Sequence, residues 1–432
     1  MYKIIILLFI LSFNLNALSK ADTIEESVSF AVQNSNSSAL IEAQSDLAKG
    51  KYISSFSSLL PNINYTISQG LDRGSAAGPG FIGLFSSNSL SSSGSMGYKM
   101  FSIDYDLSLY YTIPYLYSTG IDYKSSIYNR NIQMTNLVSS VINAYVNLAV
   151  AREIAKSTAI LKEVSAQRTK KALISFEYKI ISEIDLENIQ AMTLEAEASD
   201  IQAEANLAKA ELDYTKIVGK VLENYDLNRD YSVLPIANLE EFITLVNNKN
   251  PQLIKNAMSV KLTNTQSALA WLAILPKLSF TYTNIDVGSG IIHGSQLVQF
   301  YYAGLTLNIP IFDQGKTWTN VYLAYKNDKV NTITNELQKQ DIVSDAKQAW
   351  ISYNSINKVV QAKKKYIVAA ERSLERMKER QKFNTASEID VLNEQYNLMQ
   401  KKVDLLNIQK NQILSYYQIL SLAGMNPLIQ YK

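Results

Sequence analysis

Residues 101–113 of this 432-residue chain read FSIDYDLSLYYTI, and every odd-numbered position in the stretch carries an aromatic or aliphatic side chain. Serine and aspartate fill most of the positions between them. Alternation with a period of two predicts a β-strand with one apolar and one polar face, here over about residues 99–113. Such a strand is at least as long as the roughly ten residues that a β-strand needs to cross the hydrocarbon of a bilayer.

Three other segments show the same alternation, over about residues 62–71, 277–287 and 298–309. The pattern slips by one position near Asn284, which predicts a β-bulge there. The glycine- and serine-rich segment Gly74–Gly97 is predicted to be a loop between the first two strands, and Asp286–Gln296 is predicted to join the last two. Two interpretations fit these segments: membrane-spanning strands, or soluble β-hairpins packed on a core.

The chain contains two copies of one sequence plan. Three short motifs recur in the same order, and the last recurs letter for letter. The pairs are Leu60-Pro61 and Leu275-Pro276, Ile113-Pro114 and Ile309-Pro310, and Ser182–Asp185 and Ser387–Asp390. We therefore predict a first structural repeat over residues 22–219, a linker or equatorial segment over 220–238, a second repeat over 239–424 and a C-terminal tail over 425–432.

The rest of the chain has helical periodicity. Two proline-free stretches, over about residues 118–176 and 317–383, carry apolar residues at spacings of three and four. Helices of this length are typical of coiled coils rather than of globular cores. Shorter helices are predicted over about residues 23–58, 184–218, 239–274 and 389–422, and stacked pairs of these would match one long helix in length.

The first 21 residues have the order of features found in a secretory signal peptide. Lys3 precedes the apolar run Ile4–Phe13, and Ser19-Lys20-Ala21 supplies small residues for cleavage. A buried N-terminal segment is the alternative. Beyond residue 21 no apolar run approaches the roughly 18–20 residues of a transmembrane helix, so we expect an exported protein without one.

The composition excludes several classes of function. With 41 Lys and Arg against 39 Asp and Glu, the formal net charge is +2, which argues against a nucleic-acid partner. The chain has no cysteine, so disulfides and thiolate chemistry are excluded, and its one histidine, His293, cannot form a histidine cluster. We therefore predict that the chain is not an enzyme and binds no metal or cofactor.

Four strands are too few to close a barrel, and the hydrocarbon of a bilayer does not tolerate open sheet edges. If the strands span a membrane, several chains must share one barrel. Three chains would supply twelve strands, which is enough to enclose a water-filled interior lined by the polar strand faces. The sequence thus predicts an α+β membrane protein: a trimeric 12-stranded β-barrel continued by an α-helical coiled-coil tunnel.

The ordered set of motifs resembles the TolC family of outer-membrane efflux proteins, as does the segment Ile309–Gly315 that leads into the second long helix. The resemblance covers about residues 22–424. It implies a homotrimer in the lipid of the outer membrane, with its helical tunnel in the periplasm. It further implies the exit duct of a tripartite efflux or type I secretion system, a passive conduit opened by a periplasmic adaptor protein and an inner-membrane transporter.

The repeated Ser-Glu-Ile-Asp motif has two interpretations. In the first, Ser182 and Ser387 begin helices and form Ser-x-x-acid capping boxes with Asp185 and Asp390, and Glu183 and Glu388 lie in the same turns. In the second, which the resemblance implies, these turns form the periplasmic entrance, where Asp390 and its counterpart Asp185 help to constrict and gate it. Three chains would then supply rings of carboxylates that favour cations.

The sequence departs from the family pattern at three positions in or near these turns. Lys179 and Asn384 stand about where the family often has glycine, and Asn393 stands where a second gating acid can occur. A structural protein, such as a trimeric adhesin with a coiled-coil stalk and a barrel anchor, is the rival functional hypothesis. It predicts a barrel at one terminus, whereas the predicted strands here are interleaved with helices in both halves.

Overall fold

The structure, a computed structural model, describes residues 23–72, 94–227, 229–289, 295–425 and 428. The predicted signal peptide, His293 and nearly all of the predicted tail lie outside these residues, as do most of the first predicted loop and the middle of the second. Eight α-helices are described: α1 Ile24–Asn34, α2 Asn36–Ser55, α3 Leu109–Glu177, α4 Glu183–Val218, α5 Leu239–Lys249, α6 Pro251–Leu272, α7 Lys316–Lys382 and α8 Glu388–Leu422. Four strands accompany them: β1 Asn62–Asp72, β2 Gly94–Asp106, β3 Lys277–Ser289 and β4 Ser295–Asn308.

Two predicted helices are each divided in the structure. The predicted helix over residues 23–58 is α1 and α2, and the one over 239–274 is α5 and α6. The second division has a clear cause: Asn250 precedes Pro251, and a residue before proline is disfavoured in the helical conformation. Asn250 instead has extended backbone, and its side-chain oxygen accepts the backbone N–H groups of Gln252 and Leu253 at the start of α6.

The strands form one antiparallel sheet in the order β1-β2-β3-β4. Residues directly opposite each other share a face, so the register defines both faces. The row Ile63, Ile103, Tyr282 and Ala303 lies on one face, called here the Ile103 face. The adjacent row Asn64, Ser102, Thr283 and Tyr302 lies on the other, the Ser102 face. Both β1 and β4 are edge strands within the single chain.

The prediction of a strand over residues 99–113 was wrong at its C-terminal end. Strand β2 ends at Asp106, and helix α3 begins at Leu109. The reason is that β3, the partner strand, begins at Lys277, so residues beyond Ser108 have nothing to pair with. Ser108 uses its hydroxyl to accept the Leu278 N–H, and its carbonyl accepts the Thr112 N–H of the first helical turn.

The irregularity predicted near Asn284 lies a few residues farther along the chain in the structure. The β3–β4 ladder is continuous through Asn284, which lies opposite Tyr301, and its register shifts between Val287 and Gly288. Residues at the ends of both predicted loops belong to strands as well, because β2 begins at Gly94 and β3 extends to Ser289.

The chain divides into two compact units. The helical unit comprises the described residues within 1–45, 127–255 and 337–432, and the sheet unit comprises those within 46–126 and 256–336. The core of the helical unit is built from fully buried side chains such as Val138, Tyr145, Phe242 and Ile419. The segment over 220–238 packs onto this core through the buried side chains of Leu222, Tyr231 and Ile236.

One described helix, α3, includes a stretch that is long and apolar enough to cross a membrane, contrary to the expectation from sequence. Of that stretch, 61% is buried within the protein. A core helix has the same properties, so the stretch is explained by packing inside the protein.

Candidate functional site at the two helix–turn–helix junctions

The first candidate turn joins α3 to α4, and it ends α3 with a Schellman motif. The Ile180 N–H donates to the Ser175 carbonyl (2.8 Å), and the Lys179 N–H donates to the Phe176 carbonyl (2.8 Å). Lys179 has left-handed backbone, with φ at 55°. Glycine is the usual residue at this point of the motif because its lack of a Cβ removes the steric cost of positive φ.

The second candidate turn joins α7 to α8 with the same motif. The Thr385 N–H donates to the Arg380 carbonyl (2.9 Å), and the Asn384 N–H donates to the Gln381 carbonyl (3.0 Å). Asn384 has φ at 53°, a conformation that asparagine tolerates better than most residues do. Lys179 and Asn384, which stand about where the resembled family often has glycine, therefore have the backbone conformation that favours glycine.

Three residues after each left-handed residue, a capping box begins the next helix. The Ser182 hydroxyl accepts the Asp185 N–H (3.1 Å), and Asp185 Oδ2 accepts the Ser182 N–H (3.2 Å). The corresponding distances between Ser387 and Asp390 are 3.1 and 2.8 Å. Each serine hydroxyl also donates to the aspartate (2.7 and 2.8 Å). Both aspartates thus have a structural role as helix caps.

Each of the two turns places acidic side chains at the N-terminus of a helix. Glu183 and Asp185 lie in the first turn of α4, and Glu388 and Asp390 lie in the first turn of α8, where the helix dipole favours negative charge. The Ser182 hydroxyl and backbone N–H hold the pKa of Asp185 below its ordinary value. All four acidic side chains are exposed in the single chain, so capping leaves them accessible to ions.

The structure brings the two junctions into contact. Lys171, near the end of α3, forms an ion pair with Glu388 at the start of α8 (Nζ–Oε2 2.8 Å). Ile389 packs against a small buried cluster that includes Ala172 and Leu186. The beginnings of α4 and α8 therefore lie beside the end of α3, and the two copies of Ser-Glu-Ile-Asp belong to one local site.

Asn393 differs from the two aspartates in its surroundings. It is half-buried, and its Oδ1 is buried without a hydrogen-bond partner among the described residues. A buried amide oxygen is poorly placed to act as an exposed gating group within the single chain. The role of Asn393 at an entrance stays a prediction.

The sequence interpretation missed Arg168, on α3 behind the first turn. Its side chain is buried, its Nη2 lies 3.2 Å from Met192 Sδ, and its guanidinium lies 5.6 Å from the centre of the Tyr396 ring. Its Nε has no hydrogen-bond partner among the described residues, and burial lowers the pKa of the guanidinium. The signal was present, because Arg168 continues the buried stripe Leu161, Val164 and Ala172 at helical spacing.

Metal binding was not expected at this site. Within the described ranges, no group of three or more Asp, Glu, His or Cys side chains is arranged to hold a metal ion.

Comparison with known proteins gives a consistent result. A family model described as outer membrane efflux protein matches residues 243–425. Outer membrane protein TolC of Escherichia coli (strain K12) is 22% identical over 310 residues, which are 67% of this chain and 61% of TolC. The aligned part of the chain thus spans about three fifths of the length of this curated relative.

Solved structures share the fold over nearly the whole chain. The CmeC outer membrane channel of Campylobacter jejuni matches with a TM-score of 0.77 and 18% identity, covering 93% of this chain and 86% of CmeC. The outer membrane protein VceC of Vibrio cholerae matches with a TM-score of 0.75 and 13% identity, covering 93% of this chain and 96% of VceC.

Proposed function

We propose that this chain, which matches the outer membrane efflux protein family model over residues 243–425 and resembles TolC, is an efflux protein of the outer membrane, and that three copies form a channel across that membrane. In the proposed trimer, the three sheets close one 12-stranded barrel and the helical units form a tunnel in the periplasm. The two halves of the chain, each with the element order helix, helix, strand, strand, helix, helix, then contribute equivalent parts of the wall.

The edges of the sheet are the observation that carries this proposal. Within the described part of the chain, strands β1 and β4 each have a partner on one side only, and in hydrocarbon the unpaired N–H and C=O groups on the other side would each cost several kcal/mol. Pairing β4 of one copy with β1 of the next satisfies both edges. On β1, the side chains of Ile63 and Tyr65 are about 60% exposed, as lipid-facing residues would be.

The helical unit carries the proposed entrance. The two junctions, with Asp185 and Asp390 exposed at helix N-termini, would form the periplasmic end of the tunnel. In a trimer, six carboxylates would surround a narrow opening and favour cations over anions. The contacts between the end of α3 and the start of α8 would keep this end narrow.

The proposed duct is passive and needs partners that supply energy. We assign it to a tripartite efflux or type I secretion system, with a periplasmic adaptor protein and an inner-membrane transporter as partners. The match to the outer membrane efflux protein family model and the likeness to the CmeC outer membrane channel support this assignment. The assignment includes no enzymatic activity and no cofactor.

Two measurements test the proposed channel. Light scattering of the detergent-extracted protein should give the mass of a trimer, and planar bilayers containing that trimer should conduct ions. A folded monomer or dimer would contradict the shared barrel. A stable trimer without conductance would instead favour the structural, adhesin-type alternative.

A further inference from the structure

The two faces of the sheet exchange polarity along the strands. At the level of Ile103, toward the ends that connect to helices, the Ile103 face is mainly apolar: its rows contain Ile63, Ile103 and Tyr282, then Tyr105, Phe280 and Leu305. At the same level, the Ser102 face is mainly polar. Its rows contain Asn64, Ser102 and Thr283, then Asn62, Asp104 and Thr281.

Nearer the hairpin loops, the pattern is reversed. The Ile103 face continues into a row that contains Lys99, Asp286 and Gln299, with Lys99 directly opposite Asp286. The Ser102 face continues into the row Thr66, Met100, Ile285 and Phe300, followed by a row that contains Ser68, Tyr98 and Val287. The five apolar side chains of these two mainly apolar rows, Met100, Ile285, Phe300, Tyr98 and Val287, are called here the apolar collar.

The charged row determines where the collar lies relative to a membrane. Met100 and Ile285 are adjacent in the chain to Lys99 and Asp286, so the collar and the charged row are at the same height on opposite faces. A lysine and an aspartate are not stable in hydrocarbon. This height must therefore be at or beyond the headgroups, while the apolar rows of the Ile103 face contact the acyl chains.

The collar consequently faces the interior of the barrel, because it continues the Ser102 face, whose serine, asparagine and threonine residues would line the lumen. In the single chain, Tyr98, Met100, Ile285 and Val287 are each half-buried, and Phe300 is 41% exposed. Their apolar surface is thus still partly open before assembly. Three chains would place three such sets around one opening.

We propose that the apolar collar is a hydrophobic constriction at the outer end of the barrel, an inference that rests on the proposed channel. Apolar rings gate by dewetting, because a hydrated ion cannot keep its water shell against them. Solutes with apolar surface replace those waters at little cost. The collar therefore favours apolar or amphipathic solutes over small hydrated ions and limits ion leakage.

Conductance of the reconstituted trimer tests the collar. Met100→Gln and Ile285→Thr change polarity with little change in volume or in β-propensity, and the double variant should raise single-channel conductance in KCl at least about twofold. Asp286→Asn and Lys99→Gln are matched controls on the opposite face and should leave conductance as in the wild type. Unchanged conductance in the folded double variant would overturn the proposal.

Cysteine labelling gives a second, independent test, since the chain has no cysteine of its own. With a water-soluble cationic thiol reagent, Thr283→Cys should react rapidly and Ile285→Cys at least about tenfold more slowly. Adding Met100→Gln should accelerate labelling of Ile285→Cys. Equal rates at the two positions would overturn the collar. An unreactive Thr283→Cys in a non-conducting protein would instead show that no water-filled lumen exists, which would contradict the proposed channel itself.

Discussion

Lys179 and Asn384 have nearly the same left-handed backbone conformation, with φ at 55° and 53°, and each stands three residues before a serine that caps a helix. The two turns share their hydrogen-bond pattern, although Lys179 and Asn384 are chemically unlike. A lysine in this conformation is strained by its Cβ. The first turn therefore stores strain that the second largely avoids.

We expect Lys179→Gly to stabilise the protein by about 1 kcal/mol per chain, because glycine has no Cβ to oppose positive φ. Lys179→Asn should give a smaller gain in the same direction. Lys179→Ala is the matched control: it removes the charge and keeps the Cβ, so it should give no gain. Thermal unfolding of the detergent-solubilised trimer measures all three. A gain in the alanine variant equal to that in the glycine variant would attribute the effect to charge.

The two interpretations of the aspartates can be separated by single-channel recordings across a salt gradient. If Asp185 and Asp390 form carboxylate rings, Asp390→Asn should lower cation selectivity, and the double variant Asp185→Asn/Asp390→Asn should lower it further. The effect should shrink at high salt, because exposed charges are screened.

Ser387→Ala is the control for that experiment. It removes the hydroxyl that accepts the Asp390 N–H and keeps the carboxylate, so selectivity should be retained. An unchanged reversal potential in the intact double aspartate variant would leave capping as the only role of these residues.

The cap at Asp185 should also respond to pH. Because its pKa is lower in the folded protein than in the unfolded chain, the stability that it contributes is complete above about pH 4 and is lost as pH falls through the folded value. The protection of a peptide covering the start of α4, measured by hydrogen exchange relative to the intrinsic rate at each pH, should therefore fall below about pH 4. In Asp185→Asn this pH dependence should be reduced. An equal pH dependence in that variant would assign it to another group.

We expect Arg168→Met to stabilise the helical unit by about 1 kcal/mol or more, because it replaces a buried cation that has no carboxylate partner among the described residues with an apolar side chain of similar length. Arg152→Met is the matched control on the same helix. Arg152 pairs with Glu211 (3.1 Å) and donates to the Glu223 carbonyl (3.2 Å), so its replacement should give no gain. Thermal unfolding measures both, and a lower midpoint for Arg168→Met would show that the arginine contributes net stability.

Much of the fold could be predicted because its signals are local. The long helix predicted over residues 317–383 is α7, Lys316–Lys382, since one stretch carries the helical period without proline. The prediction of a strand over 99–113 was wrong at its C-terminal end, because the periods of a strand and of a helix overlap there. Leu109 and Ile113 fit both an alternating strand and one face of a helix. Its true end depends on Lys277, where the partner strand begins more than 160 residues later.

The candidate site also has features that the sequence predicts and features that only the tertiary structure shows. The order of residues alone determined the number of strands, the long helices and the caps at Ser182 and Ser387, because these depend on neighbours within a few positions. Only the tertiary structure showed that Lys171 pairs with Glu388, that Arg168 is buried, and that Lys99 lies directly opposite Asp286. Burial and register depend on the free energies of contacts between segments that are far apart in the chain. The sequence of one segment alone therefore does not determine them.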